Sequence, residues 1–204
     1  MRVIAGSFRS RSLAAPPGFA TRPTSDRLRE TLFNVLAPRI QGAAFLDLYA
    51  GSGAVGIEAL SRGAAQVDFV ERAPAALKIL HDNLERLGIA TQAKPTGFRI
   101  HPGSVSVFLR RAVAAQKPER HEVLREQYEV LFLDPPWDAK EEYAATMTAL
   151  GSSVAGLLAE GALVIAEHRR KMSLEDRYGT LERTRLLEQG DAALSFYVAS
   201  RRLP

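Results

Sequence analysis

A glycine-rich segment is the first feature of the chain that could do chemistry. Residues 47–56 read D-L-Y-A-G-S-G-A-V-G, so Gly51, Gly53 and Gly56 satisfy the pattern G-x-G-x-x-G. Glu71 follows Gly53 by eighteen residues, at the end of the next apolar run. Glycines let the backbone approach a ligand closely, and an acidic residue at this distance can accept both hydroxyls of a ribose. The pattern therefore predicts a cofactor site.

The glycine pattern alone does not choose between two cofactors. NAD would place its pyrophosphate at the helix N-terminus that follows the glycines. S-adenosylmethionine carries no phosphate and offers a methionine ammonium, which favours a neighbouring carboxylate. Asp47 stands just before the glycines and would repel a pyrophosphate, so the sequence favours S-adenosylmethionine. The alternative role for Asp47 is to cap the turn by accepting hydrogen bonds from backbone amides.

A second motif, D-P-P-W at residues 134–137, follows the apolar run 128–133. Two prolines fix φ and remove two N–H donors, so the Asp134 carboxylate and the Pro135 carbonyl become two acceptors in a fixed relation beside the Trp137 ring. The exocyclic amino group of a nucleobase offers two N–H donors beside a π-face. Alignment of such an amine with an activated methyl group can lower a barrier by ~7–11 kcal/mol. The motif predicts methyl transfer to a flipped or unpaired base; the alternative is a proline-rich turn in which Trp137 only packs.

The elements expected to position these motifs alternate between strands and helices. Apolar runs that suit strands lie at 44–49, 66–71, 98–101, 128–133, 162–167, 181–187 and 192–199, and amphipathic stretches lie at 55–61, 75–87, 105–115 and 143–158. This alternation predicts a doubly wound, mostly parallel α/β sheet. The connection at 188–191 is too short for a helical crossover, so the last two strands should pair antiparallel. Residues 2–6 and 11–14 predict a small β-hairpin, and a helix should begin at residue 24 or 25.

The N-terminal fifth of the chain is strongly basic. Residues 1–40 contain seven arginines and two acidic residues, a net charge of +5, whereas the rest of the chain sums to −1. Such one-sided charge is expected of a nucleic-acid binder, and the alternative is a solvated arm. We expect a basic extension over residues 1–40 and a catalytic domain over residues 41–204.

Composition excludes several classes of site. The 204 residues include no cysteine, which excludes thiol nucleophiles and cysteine-ligated metals, and the four histidines lack metal-ligand spacing. We therefore expect no metal. No uncharged apolar run reaches the ~18 residues of a membrane span, and the N-terminus lacks the apolar stretch of a secretory signal. A cytoplasmic protein without membrane contact is expected.

Three segments together resemble the RsmD family, bacterial small-subunit ribosomal RNA guanine-N2 methyltransferases. They read R-P-T-S-D-R-L-R-E-T-L-F-N at 22–34, D-L-Y-A-G-S-G-A-V-G-I-E-A-L-S-R-G at 47–63 and D-P-P-W at 134–137. The first is the most specific, and the resemblance covers almost the whole chain. It implies a seven-stranded methyltransferase sheet with an N-terminal hairpin and helix that face RNA. It also implies S-adenosylmethionine as the donor and a guanosine 2-amino group as the acceptor.

The resemblance assigns roles to individual positions. The cofactor would be held by Asp47, Tyr49, Gly51, Gly53, Glu71 and Ser104. The target base would be held by Asp134, Pro135 and Trp137. For Arg22, Arg27 and Arg29, which flank or lie on the predicted N-terminal helix, the resemblance implies phosphate contacts or a lid over the cofactor site. The charges of Arg2, Arg9 and Arg11 suit contacts with the RNA backbone as well as they suit a solvated hairpin. Trp137 stands where the family commonly has Tyr or Phe, and Ser104 where it has Asp or Asn. The implied partner is small-subunit ribosomal RNA, free or within an assembled or assembling particle, and we expect a monomer.

Other functions remain open at this stage. The D-P-P-W geometry also suits an adenine-N6 methyltransferase, and the basic segment also suits an RNA-binding module that kept the fold without catalysis. A nicotinamide dehydrogenase is disfavoured because the sequence offers no hydride-transfer constellation. His168 is expected in a solvated loop, and residues 169–171, R-R-K, could be either a second RNA contact or an ordinary surface loop.

Overall fold

A computed structural model describes residues 1–15, 25–89, 97–115, 127–152 and 155–200. The chain divides into two compact units, Met1–Gly103 and Ser104–Pro204. The predicted glycine motif lies in the first unit, and the predicted D-P-P-W motif lies in the second.

The first unit contains a three-stranded parallel sheet in the order β3-β2-β1. Its elements are α1 (Asp26–Leu36), β1 (Ala44–Leu48), α2 (Ala54–Ser61), β2 (Gln66–Glu71), α3 (Pro74–Arg86) and β3 (Gly97–Pro102). α1 begins at Asp26, one or two residues after the predicted start, and the Ser25 side chain caps it by accepting a hydrogen bond from the Leu28 amide at 3.1 Å. β1 and β2 are buried along most of their length, as strands with covered faces require.

The predicted N-terminal hairpin is present as a short antiparallel contact. Arg2 and Ser12 form an isolated bridge, and the Val3 amide donates to the Arg11 carbonyl at 2.9 Å. The segment is fastened to α2 by the fully buried Glu58, whose carboxylate accepts from the Ile4 and Ala5 amides at 2.8 and 3.0 Å. Residues 1–15 therefore pack on the first unit rather than extend from it as a solvated arm.

The second unit carries strands in the order β4-β5-β8-β7-β6. Its elements are α4 (Val105–Ala115), β4 (Tyr128–Leu133), α5 (Lys140–Leu150), a 3₁₀ turn (Ala155–Leu157), β5 (Leu158–Arg169), β6 (Arg177–Tyr178), β7 (Leu181–Gln189) and β8 (Ala192–Ala199). β4 and β5 are parallel, and β8 lies antiparallel between β5 and β7. The α/β class, the mostly parallel strands and the antiparallel last pair are confirmed.

Three predicted boundaries around β5 are wrong. The helix predicted over 143–158 ends at Leu150, and β5 runs from Leu158 to Arg169 instead of over 162–167. The strand continues because β8 pairs with it, setting His168 opposite Ala193 and Arg169 opposite Ala192. His168 is consequently buried rather than in a solvated loop, and its ring nitrogens bond the Ser195 hydroxyl and the Arg169 carbonyl, each at 2.9 Å. Burial lowers the pKa of His168, since it disfavours the charged form of the ring.

Candidate functional site

The turn after β1 has an unusual backbone. We call residues 49–53 the glycine loop. Tyr49, Gly51 and Gly53 all adopt left-handed conformations, with φ of 66°, 58° and 79°. A left-handed tyrosine is uncommon and costs conformational energy, and such residues cluster at functional sites. Tyr49 therefore has a strained backbone within the predicted cofactor loop. Its assigned contact with a cofactor stays a prediction.

The glycines of the motif serve different purposes. A Cβ at Gly53 would lie 2.3 Å from Leu80 Cδ1, and a Cβ at Gly56 would lie 2.3 Å from Phe69 Cε1. Gly53 is therefore packed against a side chain of α3, and Gly56 against a side chain of β2. A Cβ at Gly51 would meet no atom within 4 Å. Gly51 is the glycine of the loop that leaves open space over its backbone, which is what the approach of a ligand needs.

Asp47 lies at the end of β1 with only 2% of its surface exposed. Its Oδ2 accepts a hydrogen bond from the Gly56 amide at 2.9 Å, in the first turn of α2, where the N-cap Gly53 supplies no side chain. Asp47 therefore performs the capping role that the sequence left as an alternative. Burial raises the pKa of Asp47 to about 7, and the nearby Glu71 charge adds to the rise against the Gly56 hydrogen bond. A cationic group would stabilise this buried carboxylate, so the site fits the ammonium of S-adenosylmethionine.

Glu71 connects the end of β2 to the glycine loop. Its Oε2 accepts from the Gly51 amide at 2.8 Å, and its Oε1 accepts from the Arg72 and Ala73 amides, both at 2.7 Å. A carboxylate has about four acceptor positions. With three of them taken, Glu71 has room for about one ribose hydroxyl rather than the two that the sequence predicts, unless the Gly51 bond opens.

Asn83 is a structural residue of this site that the sequence analysis missed. It is fully buried on α3, and its amide uses every hydrogen: Nδ2 donates to the Ala14 carbonyl at 3.1 Å and to the Ser52 carbonyl at 2.9 Å. Its Oδ1 accepts from the Ala14 amide at 2.8 Å. Asn83 thus ties the N-terminal segment to the glycine loop. A polar residue between Leu80 and Leu84 on an apolar helix face was the signal that could have revealed it.

The D-P-P-W loop, residues 134–137, follows β4 in the second unit. Asp134 and Trp137 are half-buried and Pro135 is buried. Tyr143, buried on α5, places its hydroxyl 3.2 Å from the Pro135 carbonyl oxygen and 2.8 Å from that of Glu167. The Arg169 guanidinium lies 5.2 Å from the Trp137 ring centroid. Neither Tyr143 nor Arg169 was among the predicted site residues; only the basic run at 169–171 pointed toward the latter.

Ser104 begins α4 as a helix cap. Its hydroxyl accepts a weak hydrogen bond from the Val107 amide at 3.4 Å and lies 3.0 Å from the Ser106 hydroxyl. These contacts account for a serine at this position, and its predicted contact with the cofactor adenine stays a prediction. Across the residues that the structure describes, no group of three or more His, Asp and Glu could hold a metal ion, and no helix is both long and apolar enough to cross a bilayer.

One predicted RNA-contacting arginine is corrected by the structure. Arg29 is fully buried, so its side chain cannot reach a phosphate. Its Nη2 donates to the Asp26 carboxylate at 3.0 Å and to the Arg2 carbonyl, and its Nε lies 3.8 Å from Glu58. Burial lowers the pKa of Arg29, against the Asp26 and Glu58 charges that raise it. Arg29 holds the N-terminal segment to α1 and α2.

Of the other five arginines predicted to contact RNA, four can be described in the structure. Arg2, Arg9, Arg11 and Arg27 are exposed. The Arg11 guanidinium also donates to the Arg86 carbonyl at the end of α3, at 2.8 Å. Arg22 lies outside the described residues. The exposed set therefore supplies a smaller positive surface than the sequence count suggests.

Comparison with known proteins finds relatives that match almost the whole length of this chain. The Bacillus subtilis (strain 168) protein YlbH is 36% identical over 197 residues, which cover 97% of this chain and 98% of that protein. Ribosomal RNA small subunit methyltransferase D of Escherichia coli (strain K12) is 41% identical over 137 residues, 67% of this chain and 60% of that protein. The solved structure of the Escherichia coli protein yhhF matches with a TM-score of 0.77 at 31% identity, over 99% of both chains. The family model described as "Conserved hypothetical protein 95" matches residues 1–198, so this chain belongs to that family, the RsmD family.

Proposed function

We propose that this protein transfers a methyl group from S-adenosylmethionine to the exocyclic 2-amino group of a guanosine in small-subunit ribosomal RNA. The observation that carries the proposal is the D-P-P-W loop, in which a half-buried carboxylate and a buried proline carbonyl follow a parallel strand beside the only tryptophan of the chain. The name of the Escherichia coli relative supports the ribosomal RNA substrate. The family resemblance supports the guanine 2-amino group.

The residues of the first unit fit the proposed cofactor. When bound, S-adenosylmethionine supplies an electrophilic methyl group on a sulfonium centre. Asp47 would hold the ammonium by its buried charge, and Gly51 offers backbone without a side chain in the way. Glu71 would accept a ribose hydroxyl at the end of β2. We also keep Tyr49, Gly53 and Ser104 in the proposed cofactor-binding set.

The residues of the second unit fit an amine acceptor. The guanine 2-amino group is a poor nucleophile because its lone pair is delocalised into the ring. The Asp134 carboxylate and the Pro135 carbonyl would accept its two N–H groups, while Trp137 would stack on the base. The Tyr143 hydroxyl has one proton and lies closer to the Glu167 carbonyl, at 2.8 Å, than to the Pro135 carbonyl, at 3.2 Å. The Pro135 oxygen therefore keeps acceptor capacity for the amine.

The RNA would be held in part by the basic extension that we propose over residues 1–40. Arg9 offers a clear test because it is exposed. Arg9→Gln should weaken RNA binding and reduce the slope of log affinity against log salt by about 0.7–0.9, the loss of one phosphate contact. Arg111→Gln removes the same charge from an exposed position on α4, outside residues 1–40, and is the matched control. Equal slopes for the two variants would show that Arg9 makes no phosphate contact and is only a solvated side chain.

The reaction itself is tested by product analysis. Ribosomal particles and free ribosomal RNA from a strain that lacks the enzyme are incubated with labelled S-adenosylmethionine, and the nucleosides are separated. The proposal expects label in N2-methylguanosine at one position, and the comparison of free RNA with particles identifies which of them is the substrate. Label in N6-methyladenosine would replace the proposal with an adenine methyltransferase. RNA binding without S-adenosylhomocysteine binding would replace it with a non-catalytic module. We propose that the active species is a cytoplasmic monomer, which sedimentation of the active fraction checks.

A further inference from the structure

We infer that Tyr143 and Arg169 are positioning residues that clamp the D-P-P-W loop to the end of β5 and so fix the geometry of its acceptors. This inference rests on the proposed function and adds two residues to it. Both side chains act through the loop and neither is assigned a contact with the reacting atoms.

The two prolines of the D-P-P-W loop reduce the number of backbone hydrogen bonds that the loop can donate. Pro135 and Pro136 have no N–H groups, so two of its four residues cannot donate a backbone hydrogen bond. The Pro136 carbonyl accepts from the Ala139 amide at 2.8 Å, which closes the turn on its downstream side. The Pro135 carbonyl, the proposed acceptor, is met instead by a side chain from outside the loop. External contacts therefore decide where that carbonyl points.

Tyr143 provides the first of these contacts. It lies in the first turn of α5 with 1% of its surface exposed, so its ring is fixed by packing. Its hydroxyl sits between the Pro135 and Glu167 carbonyl oxygens, at 3.2 and 2.8 Å. One phenol proton can serve only one carbonyl at a time. The hydroxyl therefore links the loop to β5 and can shift its proton toward the Pro135 oxygen when no amine occupies it.

Arg169 provides the second contact from the same strand end. Its guanidinium lies over one face of the Trp137 ring, with 5.2 Å between Cζ and the ring centroid, within cation–π range. Its Nη2 also donates to Asp138 Oδ1 at 3.2 Å. The backbone of Arg169 is paired with β8, so this guanidinium extends from a fixed strand. It would orient the Trp137 plane, and the proposed stacking of the base would then use the opposite face of the indole.

The two contacts are chemically independent and converge on residues 167–169 of β5. One is a neutral hydrogen bond at the carbonyl acceptor, and the other is a cation over the aromatic ring. Loss of either should loosen the loop without altering the residues proposed for the cofactor. The expected signature is a lower kcat with an unchanged affinity for S-adenosylhomocysteine.

The test uses Trp137 as a probe, because it is the only tryptophan in the chain and its fluorescence reports directly on the loop. Acrylamide quenching is measured on the free protein for Tyr143→Phe, Arg169→Gln and Arg169→Lys. We expect Arg169→Gln to raise the quenching constant about twofold, since the guanidinium no longer covers the ring. Tyr143→Phe should raise it to a smaller extent, and Arg169→Lys should rescue only partly because an ammonium does not stack as a planar guanidinium does.

The kinetic arm separates positioning from folding and from RNA attraction. Tyr143→Phe should lower kcat about tenfold, with KM for RNA within about twofold, since misplacement of a reacting group costs rate more than binding. Arg185→Gln is the matched control: it removes the same charge from an exposed position on β7 of the same unit, and its kcat and quenching constant should match those of the wild type. Unchanged quenching in both Arg169 variants, or an unchanged kcat in Tyr143→Phe, would overturn the clamp. The quenching measurement needs no methyl transfer, so a different methylated product would refute the proposed function and leave the clamp intact.

Discussion

The glycine loop of the first unit and the D-P-P-W loop of the second are held in place by different means. The glycine loop is fastened by Glu71, a proposed ligand-binding carboxylate that accepts from the Gly51 amide, and by Asn83, which donates to the Ser52 carbonyl. Just beyond the loop, a second proposed ligand-binding carboxylate, Asp47, accepts from the Gly56 amide. The D-P-P-W loop is fastened by neighbouring side chains, the Tyr143 hydroxyl and the Arg169 guanidinium.

This difference determines how far binding and stability can be separated by mutation. In the glycine loop, one carboxylate both shapes the turn and is proposed to meet the cofactor, so its removal should affect folding and binding together. In the D-P-P-W loop, positioning and substrate contact are assigned to different residues. Substitutions there should affect the reaction more than the fold.

The largest effect should come from Asp134, and it would sharpen the contrast. Asp134→Ala removes a proposed acceptor of the amine and should lower kcat by at least about 100-fold, the scale of a lost oriented contact in a transition state. Because the residue follows β4 in the second unit, calorimetry should find the S-adenosylhomocysteine affinity within about twofold of wild type.

Asp134→Asn is the matched variant, since it keeps the shape and one carbonyl oxygen. It should retain more activity than Asp134→Ala and the same cofactor affinity. If Asp134→Ala lost cofactor affinity and thermal stability as severely as activity, Asp134 would be structural, and the two loops would not differ in the way described.

A smaller effect should distinguish the glycines within their own loop. Gly53→Ala places a methyl group 2.3 Å from the buried Leu80 Cδ1 in a left-handed conformation, and should cost about 2–4 kcal/mol of unfolding free energy. Gly51→Ala meets open space and should cost only about 1–2 kcal/mol, from its φ of 58°. It should, however, weaken S-adenosylhomocysteine binding about tenfold, because the methyl group projects where a ligand would approach.

Gly42→Ala is the control for Gly51, because Gly42 has a φ of 77° and a Cβ there also meets nothing within 4 Å. Chemical denaturation and calorimetry measure both variants. Similar stability losses with a loss of affinity only at Gly51 would support a ligand over that backbone. Equal affinities in the two variants would remove Gly51 from the proposed site.

The fold could be predicted from the sequence because its strands are local patterns. The runs at 66–71, 128–133 and 192–199 begin and end where β2, β4 and β8 do, since buried apolar residues bounded by polar ones specify a strand without reference to neighbours. The end of β5 could not be predicted in this way. His168 and Arg169 are polar, and only pairing with β8 makes them strand residues.

The candidate site could be predicted only as far as its motifs extend. The spacing of the glycines located the glycine loop, and the D-P-P-W motif located the second loop. Both could be found because the residues proposed to bind are close together in the sequence. Tyr143 and Asn83 lie on amphipathic helices, where a tyrosine or an asparagine has no distinctive spacing, and tertiary contacts alone give them their roles. Arg29 was misassigned because charge counts cannot tell a phosphate-binding arginine from one buried against Asp26 and Glu58.

The smallest predicted effect concerns Asp47 and would show whether the glycine loop truly combines both roles. Burial raises the pKa of this carboxyl from about 3.9 when unfolded to about 7, so between those values the folded protein holds a proton that the unfolded chain has lost. This stabilising contribution is full below pH 4 and is lost as pH rises through 7. The melting temperature of the wild type should therefore fall between pH 6 and pH 8 relative to that of Asp47→Asn, which cannot ionise.

If the ionised carboxylate of Asp47 meets the ammonium of the ligand, binding expels the proton. The affinity for S-adenosylhomocysteine should then rise about tenfold between pH 6 and pH 8 in the wild type and stay constant in Asp47→Asn. Calorimetry in buffers of different ionisation enthalpy should detect the released proton. Parallel pH profiles for the two proteins would leave Asp47 as a helix cap only, and the glycine loop would then resemble the D-P-P-W loop in separating the residues that shape it from those that bind.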